Sequence, residues 1–316
     1  MSLRGLTNGT GIYPRLLETF RRADDKCNSG LFHFKDESGR PGAPDTLTLD
    51  LKIDDGVFKD ILTHLYYPDS PCEFSVLPPE ILGNVYEQFL GKVIRLTKGH
   101  RAKIEEKPEV RKAGGVYYTP RYIVKNTVGK LCEGKTPRQI EKFKILDPAC
   151  GSGSFLLEAY QYLLDYHLEW YLKEKESNGN GRRRRSKPPI YEGAGGHWHL
   201  TPGKKKEILL ANIHGVDIDA QAVDVTKLSL LLKVLENENQ DSIEAQMKLF
   251  RERALPDLSD NIKCGNSLVG TDFYDGSMGN LFQDEEESYR INAFDWEAEF
   301  TAIMKGGGFD AVIGNP

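Results

Sequence analysis

The stretch that most constrains this chain is Ile145-Leu146-Asp147-Pro148-Ala149-Cys150-Gly151-Ser152-Gly153-Ser154-Phe155. Phe143 to Leu146 is a short, mostly apolar run that reads as a buried strand. Beyond it, Phe155, Leu156, Ala159, Tyr160, Leu163, Leu164 and Leu168 fall on one face of a long helix. Between the two, Gly151 and Gly153 permit a sharp bend and a close approach of backbone to ligand. Strand, glycine turn and helix in this order open a nucleotide-type α/β site. A bare glycine pattern also fits an unspecialised strand-to-helix turn, so the spacing alone leaves both readings open.

The turn does not suit a pyrophosphate. A dinucleotide fingerprint has glycine or alanine three residues after its second glycine, and this chain has Leu156 there. Asp147 adds a carboxylate that would repel phosphate and welcome a cation. S-adenosylmethionine (SAM) carries an ammonium, a sulfonium and an adenosine, and no phosphate. Asp147 to Phe155 also closely resembles the first motif of the DNA amino-methyltransferases. That resemblance implies a Rossmann-like SAM-dependent methyltransferase sheet, with Asp147, Ala149, Cys150, Gly151 and Gly153 around the cofactor.

Further motifs stand in a matching order. Pro78-Pro79 sets a helix start, and Ile81, Leu82, Val85, Tyr86, Phe89, Leu90, Val93 and Ile94 follow at helical spacing. This pattern reads as core. It also resembles the "LGxxYExxL" helix ahead of the methyltransferase domain in type I and type IIG restriction-modification proteins. Tyr117-Tyr118-Thr119-Pro120 then caps a helix continued by Ile123, Val124, Val128 and Leu131. It is similar to the N-terminal motif of gamma-class adenine amino-methyltransferases. The resemblance implies that Tyr118, Thr119 and Pro120 complete the methionine end of the SAM pocket.

Ile213 to Asp219 reads as a second strand ending in acid, followed by a helix bearing Val223, Leu228, Leu231 and Leu235. An acid at this point holds ribose hydroxyls in Rossmann-like sites, at a usual distance of about 20 residues from the turn. Asp217 lies 66 residues after Gly151, a gap that fits once the intervening Gly/Arg-rich segment is treated as an insertion. Asp217 is the expected ribose ligand and Ile218 the residue packed on adenine. Alternatively, Asp217 or Asp219 merely caps the following helix. Asn266-Ser267-Leu268 resembles the third motif, in which Asn266 would accept from the adenine amino group; many relatives carry aspartate there. Phe309 to Gly314 reads as a fourth strand, and Asn315-Pro316 resembles the first half of the Asn-Pro-Pro-Tyr/Phe motif. In that family the amide oxygen and the proline carbonyl accept the two amino protons of the target base. They thereby aim its lone pair at the methyl donor. The aromatic that stacks on the flipped base would follow Pro316.

Composition narrows the class without choosing it. With 39% hydrophobic and 28% charged residues, the chain is of ordinary globular type. A net charge of −5 neither favours nor excludes nucleic acid. Five scattered cysteines without a Cys-x-x-Cys pair argue for reduced thiols in a cytoplasmic protein and against a zinc cluster. No signal peptide or membrane-length apolar run appears. Residues 174–206, with Arg182 to Arg185 and Lys204 to Lys206, read as a long loop that either is solvated or grips DNA.

The expectation is an α/β protein: a mainly helical region over 1–112, then a partial methyltransferase domain over 113–316 that ends after its fourth strand. The resemblance implies a site-specific DNA adenine-N6 methyltransferase of a restriction-modification or phage-defence system. It would be using SAM, acting on double-stranded DNA with the adenine flipped out, and binding no metal. Specificity and nuclease domains would lie outside this chain, which is expected to be an inactive piece on its own. The alternatives are a protein-glutamine or RNA methyltransferase, or a non-catalytic SAM-binding assembly subunit.

Overall fold

Hydrophobic periodicity sets most of the elements, and burial decides where they stop. The computed structural model describes residues 3–27, 34, 45–66, 69–70, 79–90, 92–96, 102–106, 121–178, 189–238, 255–274 and 291–314. Contacts divide the chain into two units, Met1–Pro78 with Glu238–Asp257, and Pro79–Asn237 with Leu258–Pro316.

In the first unit, helices α1 (Ile12–Cys27), α2 (Leu47–Asp50) and α3 (Asp55–His64) are described. Leu6, Ile12, Leu16 and Leu62 form their common core. The Asp55 carboxylate accepts from the Gly11 and Ile12 amides, both at 2.7 Å, satisfying free N–H groups at the start of α1. The sequence pattern shows only the later part of α3, Asp60 to Tyr66, and misses α1. Asp54 starts α3 earlier by accepting from the Gly56 amide, and Pro14 sits in the first turn of α1, where no intrahelical N–H is needed. Leu47 to Asp50 forms the single helical turn α2.

The second unit begins with α4 (Pro79–Leu90), then strands β1 (Lys92–Leu96) and β2 (Ala102–Glu106) paired antiparallel. This corrects the helix expected to run on through Val93 and Ile94. Gly91 weakens the helix, and the branched pair Val93-Ile94 favours extended backbone once a partner strand is present. Next come α5 (Arg121–Cys132), α6 (Pro137–Ile140), β3 (Ile145–Asp147) and α7 (Ser154–Asn178). Strands β4 (Ile190–Glu192) and β5 (Trp198–Leu200) form a hairpin before α8 (Pro202–Asn212). The chain continues through β6 (Ile213–Asp217), α9 (Ala220–Leu235), β7 (Ile262–Cys264), α10 (Trp296–Glu299), α11 (Thr301–Lys305) and β8 (Ala311–Val312).

Strands β7, β6, β3 and β8 stand in that order in a four-stranded sheet, parallel at every pairing. The chain leaves β3 for β6 on one side and returns to β8 on the other. The crevice at the carboxyl end of β3 is therefore the reversal point, where open α/β sheets bind ligands. This is a Rossmann-like sheet. All three residues of β3 are buried, and on one face Leu146 and Val216 pack against Phe294 and Phe300. His214 lies within this apolar layer, edge-on to Phe300 and Phe309; burial pushes its pKa down to about 4, so its ring is neutral.

Lys204 to Lys206 belong to α8 and not to a loop. Thr201 caps that helix and Pro202 opens it. Lys204 is buried in ion pairs with Glu141 and Glu207, and Lys205 donates to the Val234 and Glu236 carbonyls. Both lysines hold helices together and are not offered to a DNA backbone. Arg182 to Arg185 lie outside the described residues.

At the end of α8, fully buried Asn212 donates to the Ile140 carbonyl at 2.7 Å and the Phe143 carbonyl at 2.8 Å. Asn212→Ala would strand both acceptors in the interior. We expect it to lower stability by about 2–3 kcal/mol, measured as a shift of the urea midpoint with an unchanged slope.

Candidate cofactor site

Each sheet strand delivers its last residues to the same edge, and the glycine turn lies across it. Gly151 and Gly153 both have left-handed backbone, with φ of 54° and 80°. The Gly151 amide donates to Asp217 Oδ2 at 2.7 Å, and Thr226 Oγ1 donates to the Gly151 carbonyl at 2.8 Å. The turn is thus tied to the end of β6 through its amide and to α9 through its carbonyl. A Cβ on Gly153 would stand 2.8 Å from Thr226 Oγ1 and Cγ2.

Asp147 lies at the end of β3 with no exposed surface. Its Oδ1 accepts from the Ala149 amide at 3.1 Å, and Oδ2 meets no hydrogen-bond partner among the described residues. Burial raises its pKa to about 7 against the pull of the Ala149 amide, and the nearby Asp217 charge adds to the rise. A buried carboxylate with a free oxygen is costly unless a cation or donor reaches it. Gly314, the residue before Asn315, runs beside this carboxylate: a Cβ there would be 2.7 Å from Asp147 Oδ1. The strand that leads to Asn315 therefore passes the same carboxylate that closes β3.

Asp217 and Asp219 have separate tasks. Asp217 holds the Gly151 amide with one oxygen and the Asp219 amide, at 2.9 Å, with the other. Burial pushes its carboxyl pKa up, against these two hydrogen bonds. It does not cap α9; Asp219 does, accepting from the Gln221 amide at 2.9 Å. A carboxylate has about four lone-pair sites, so Asp217 retains capacity for hydroxyl donors. Ile218, directly after β6, is 51% exposed, and Leu268, beyond β7, is 90% exposed. Both are apolar surfaces open to a flat ring. Asn266 turns its Oδ1 onto the Leu268 amide at 3.1 Å, and the Ser267 carbonyl accepts from Trp296 Nε1 at 3.3 Å.

Cys150 is buried, its amide donating to the Val216 carbonyl at 2.9 Å. Its thiol packs where Gly215 leaves room: a Cβ on Gly215 would stand 3.1 Å from the sulfur and 2.8 Å from Leu156 Cδ1. Ala149 is exposed at the top of the turn. Tyr118, Thr119, Pro120, Asn315 and Pro316 lie outside the described residues. Among the described residues, no group of three or more His, Cys, Asp or Glu is arranged to hold a metal.

Sequence reasoning missed Thr226, a small polar residue in an otherwise apolar helix pattern, and it placed Tyr86 in a core helix resembling the "LGxxYExxL" pattern without giving the tyrosine a role at the site. Tyr86 instead donates its hydroxyl to Asp219 Oδ2 at 3.2 Å. The one available signal was the recurrent Tyr of the α4 pattern.

The N-6 DNA Methylase family matches residues 78–253, and the family described as Eco57I restriction-modification methylase matches residues 211–316. The chain is 32% identical over 310 residues to the type II restriction enzyme and methyltransferase RM.Eco57I of Escherichia coli, covering 96% of this chain and 27% of that protein. It is 30% identical over 236 residues to the putative type II restriction enzyme and methyltransferase RM.MjaORFECS2P of Methanocaldococcus jannaschii, covering 61% of this chain and 17% of that one. The adenine-specific methyltransferase BrxX of Escherichia coli is 24% identical over 242 residues, 66% of this chain and 17% of its own length. The chain thus spans about a quarter or less of these relatives. The N-6 match takes in the glycine turn, Asp217 and α9 and covers more than half of the sequence, and on that ground the chain belongs to the N-6 DNA methylase family.

Proposed function

We propose that this chain carries the cofactor site of a site-specific DNA methyltransferase, one that moves a methyl group from SAM to adenine N6 in a restriction-modification protein. The observation that carries the reading is Asp147: a buried carboxylate under a glycine turn, with one oxygen that has no partner among the described residues, flanked by the strand that leads to Asn315-Pro316. An anionic cofactor does not fit such a site, whereas the ammonium of SAM does. Asp147 is enclosed in the protein as it stands, so the cation reaches Oδ2 only with a small shift of the turn or of Gly314.

Asp217 binds the ribose hydroxyls with its remaining lone pairs, Ile218 and Leu268 cover the adenine faces, and Asn266 and Ser267 line its edge. The backbone of Ala149, Cys150, Gly151 and Gly153 shapes the turn, and Tyr118, Thr119 and Pro120 close the methionine end. When bound, SAM supplies an electrophilic methyl group. The Asn315 side-chain oxygen and the Pro316 carbonyl accept the two amino protons of the target adenine and orient its lone pair. A neutral amide suits a closed pocket because no ion has to be desolvated.

The partners that follow are double-stranded DNA with its adenine turned out, a specificity module, and a nuclease module of the kind the names of the type II restriction enzyme and methyltransferase relatives imply. A cytoplasmic location goes with that work. Among the described residues no helix is long and apolar enough to cross a membrane.

Calorimetric titration with SAM tests the reading. The parent protein should bind, and Asp217→Ala should lose affinity by about 100-fold, since it removes both the ribose acceptor and the anchor of Gly151. Equal binding by the two proteins sinks the role of Asp217; binding by neither sinks the cofactor.

A further inference from the structure

Helix α4 meets the glycine turn at two points on one face. Gly83 lies so near Ser152 that a Cβ there would stand 3.2 Å from the serine Cβ and Oγ and 3.4 Å from its carbonyl oxygen. Three residues further on, hence on the same side of the helix, the Tyr86 hydroxyl donates to Asp219 Oδ2 at 3.2 Å. Burial and the Asp219 charge hold the phenol well above its ordinary pKa, so it remains a donor.

Asp219 is the first link of a relay. Its other oxygen caps α9 and its amide donates to Asp217 Oδ1. Asp217 Oδ2 then fixes the Gly151 amide, and Thr226 holds the Gly151 carbonyl from α9. A side chain 133 positions before Asp219 is thus connected, without a gap, to the backbone of the turn. The glycine at 83 and the tyrosine at 86 have a common purpose. One allows the helix to touch the turn, and the other ties the helix to the carboxylates behind it.

We propose that α4 is a wall of the cofactor site and that Tyr86 is a positioning residue, holding Asp219 so that Asp217 and Gly151 are set for SAM. The proposal rests on the cofactor reading above. It makes the affinity for SAM depend on the docking of a helix that precedes the sheet, so that any displacement of α4 is felt at the ribose carboxylate.

The test uses this chain as parent, Tyr86→Phe, Asp219→Ala and the double variant, with two measurements. Hydrogen exchange at the Gly151 amide reports the turn directly, and calorimetry reports SAM affinity. Tyr86→Phe leaves Gly83 against Ser152 and keeps the ring, so the fold should persist and exchange at the Leu146 amide should not change. We expect Gly151 exchange to rise about tenfold and SAM affinity to fall about tenfold, as for one lost hydrogen bond to a carboxylate. In the Asp219→Ala background the same change should add less than about twofold, because the Tyr86 hydroxyl no longer has a side chain there to hold. Unchanged Gly151 exchange in Tyr86→Phe overturns the proposal, as do fully additive effects, which mean that Tyr86 only packs. If the parent takes up no SAM while Gly151 exchange responds as expected, the cofactor reading falls and the link from helix to turn stands.

Discussion

Asp147→Asn is expected to bind SAM about 100-fold more weakly than the parent at pH 8 and yet to be the more stable protein without ligand. Both effects come from one desolvated carboxyl. Its pKa rises from 3.8 to about 7 on folding, so the folded chain holds a proton that the unfolded chain releases. A raised carboxyl pKa gives a contribution fully present below pH 3.8 and lost as pH climbs through 7. Three pKa units correspond to about 4 kcal/mol, an upper bound, since asparagine brings an amide that needs its own partners.

His167 and His214, both lowered to about 4, act in the opposite sense. Each is buried neutral, so stability falls as pH drops from 6.5 toward 4. Comparing the variant with the parent at each pH cancels the histidines. The difference should grow between pH 4 and 7 and level off above. SAM binding runs the other way, because its ammonium calls for the ionised form. Parent affinity should rise about tenfold per pH unit below 7 and flatten above it, and the variant should lose that slope. Denaturant melts and calorimetry across this range give both curves. A parent affinity independent of pH removes Asp147 as the cation partner.

Gly153→Ala is expected to cost about 3 kcal/mol, and Gly151→Ala about 1 kcal/mol, although both replace a left-handed glycine of the same turn. The difference is steric. At Gly151 an added Cβ meets nothing within 4 Å, so only backbone strain remains. At Gly153 it would stand 2.8 Å from the Thr226 side chain. Thr226 is fully buried, branched and stiff, and rotating it away would break its bond to the Gly151 carbonyl. Gly153→Ala therefore loses packing and the turn anchor together, and SAM affinity should fall with stability. Paired urea titrations measure the gap. Equal losses at the two glycines would mean that Thr226 moves freely and that the turn is not clamped from α9.

The local elements of the sheet were legible because their causes are local. Asp147-Pro148-Ala149-Cys150-Gly151-Ser152-Gly153 spells a strand end and a turn from the residues themselves, and Ile213 to Asp217 spells the strand beside it. Asp217 was recognisable as a ligand-bearing acid from its place at the end of a second strand, although the hairpin β4–β5 and helix α8 intervene and stretch its usual spacing. Val93 and Ile94 misled the reading: their helical spacing continues α4, and only pairing with Ala102 to Glu106 makes them a strand. Lys204 and Lys205 misled it again, because a run of charges looks solvated until Glu141, Glu207 and two carbonyls are found around it.

What the sequence alone determined is the order of strand, turn, helix and acid, together with the positions where only glycine or a carboxylate serves. Those depend on backbone freedom and side-chain chemistry at single residues. The tertiary structure decided which of the two acids caps α9, where the Cys150 thiol packs, and that Tyr86, Thr226 and Gly314 stand at the site at all. These are contacts between residues far apart in the chain, fixed by sheet order and helix packing, and no local pattern records them.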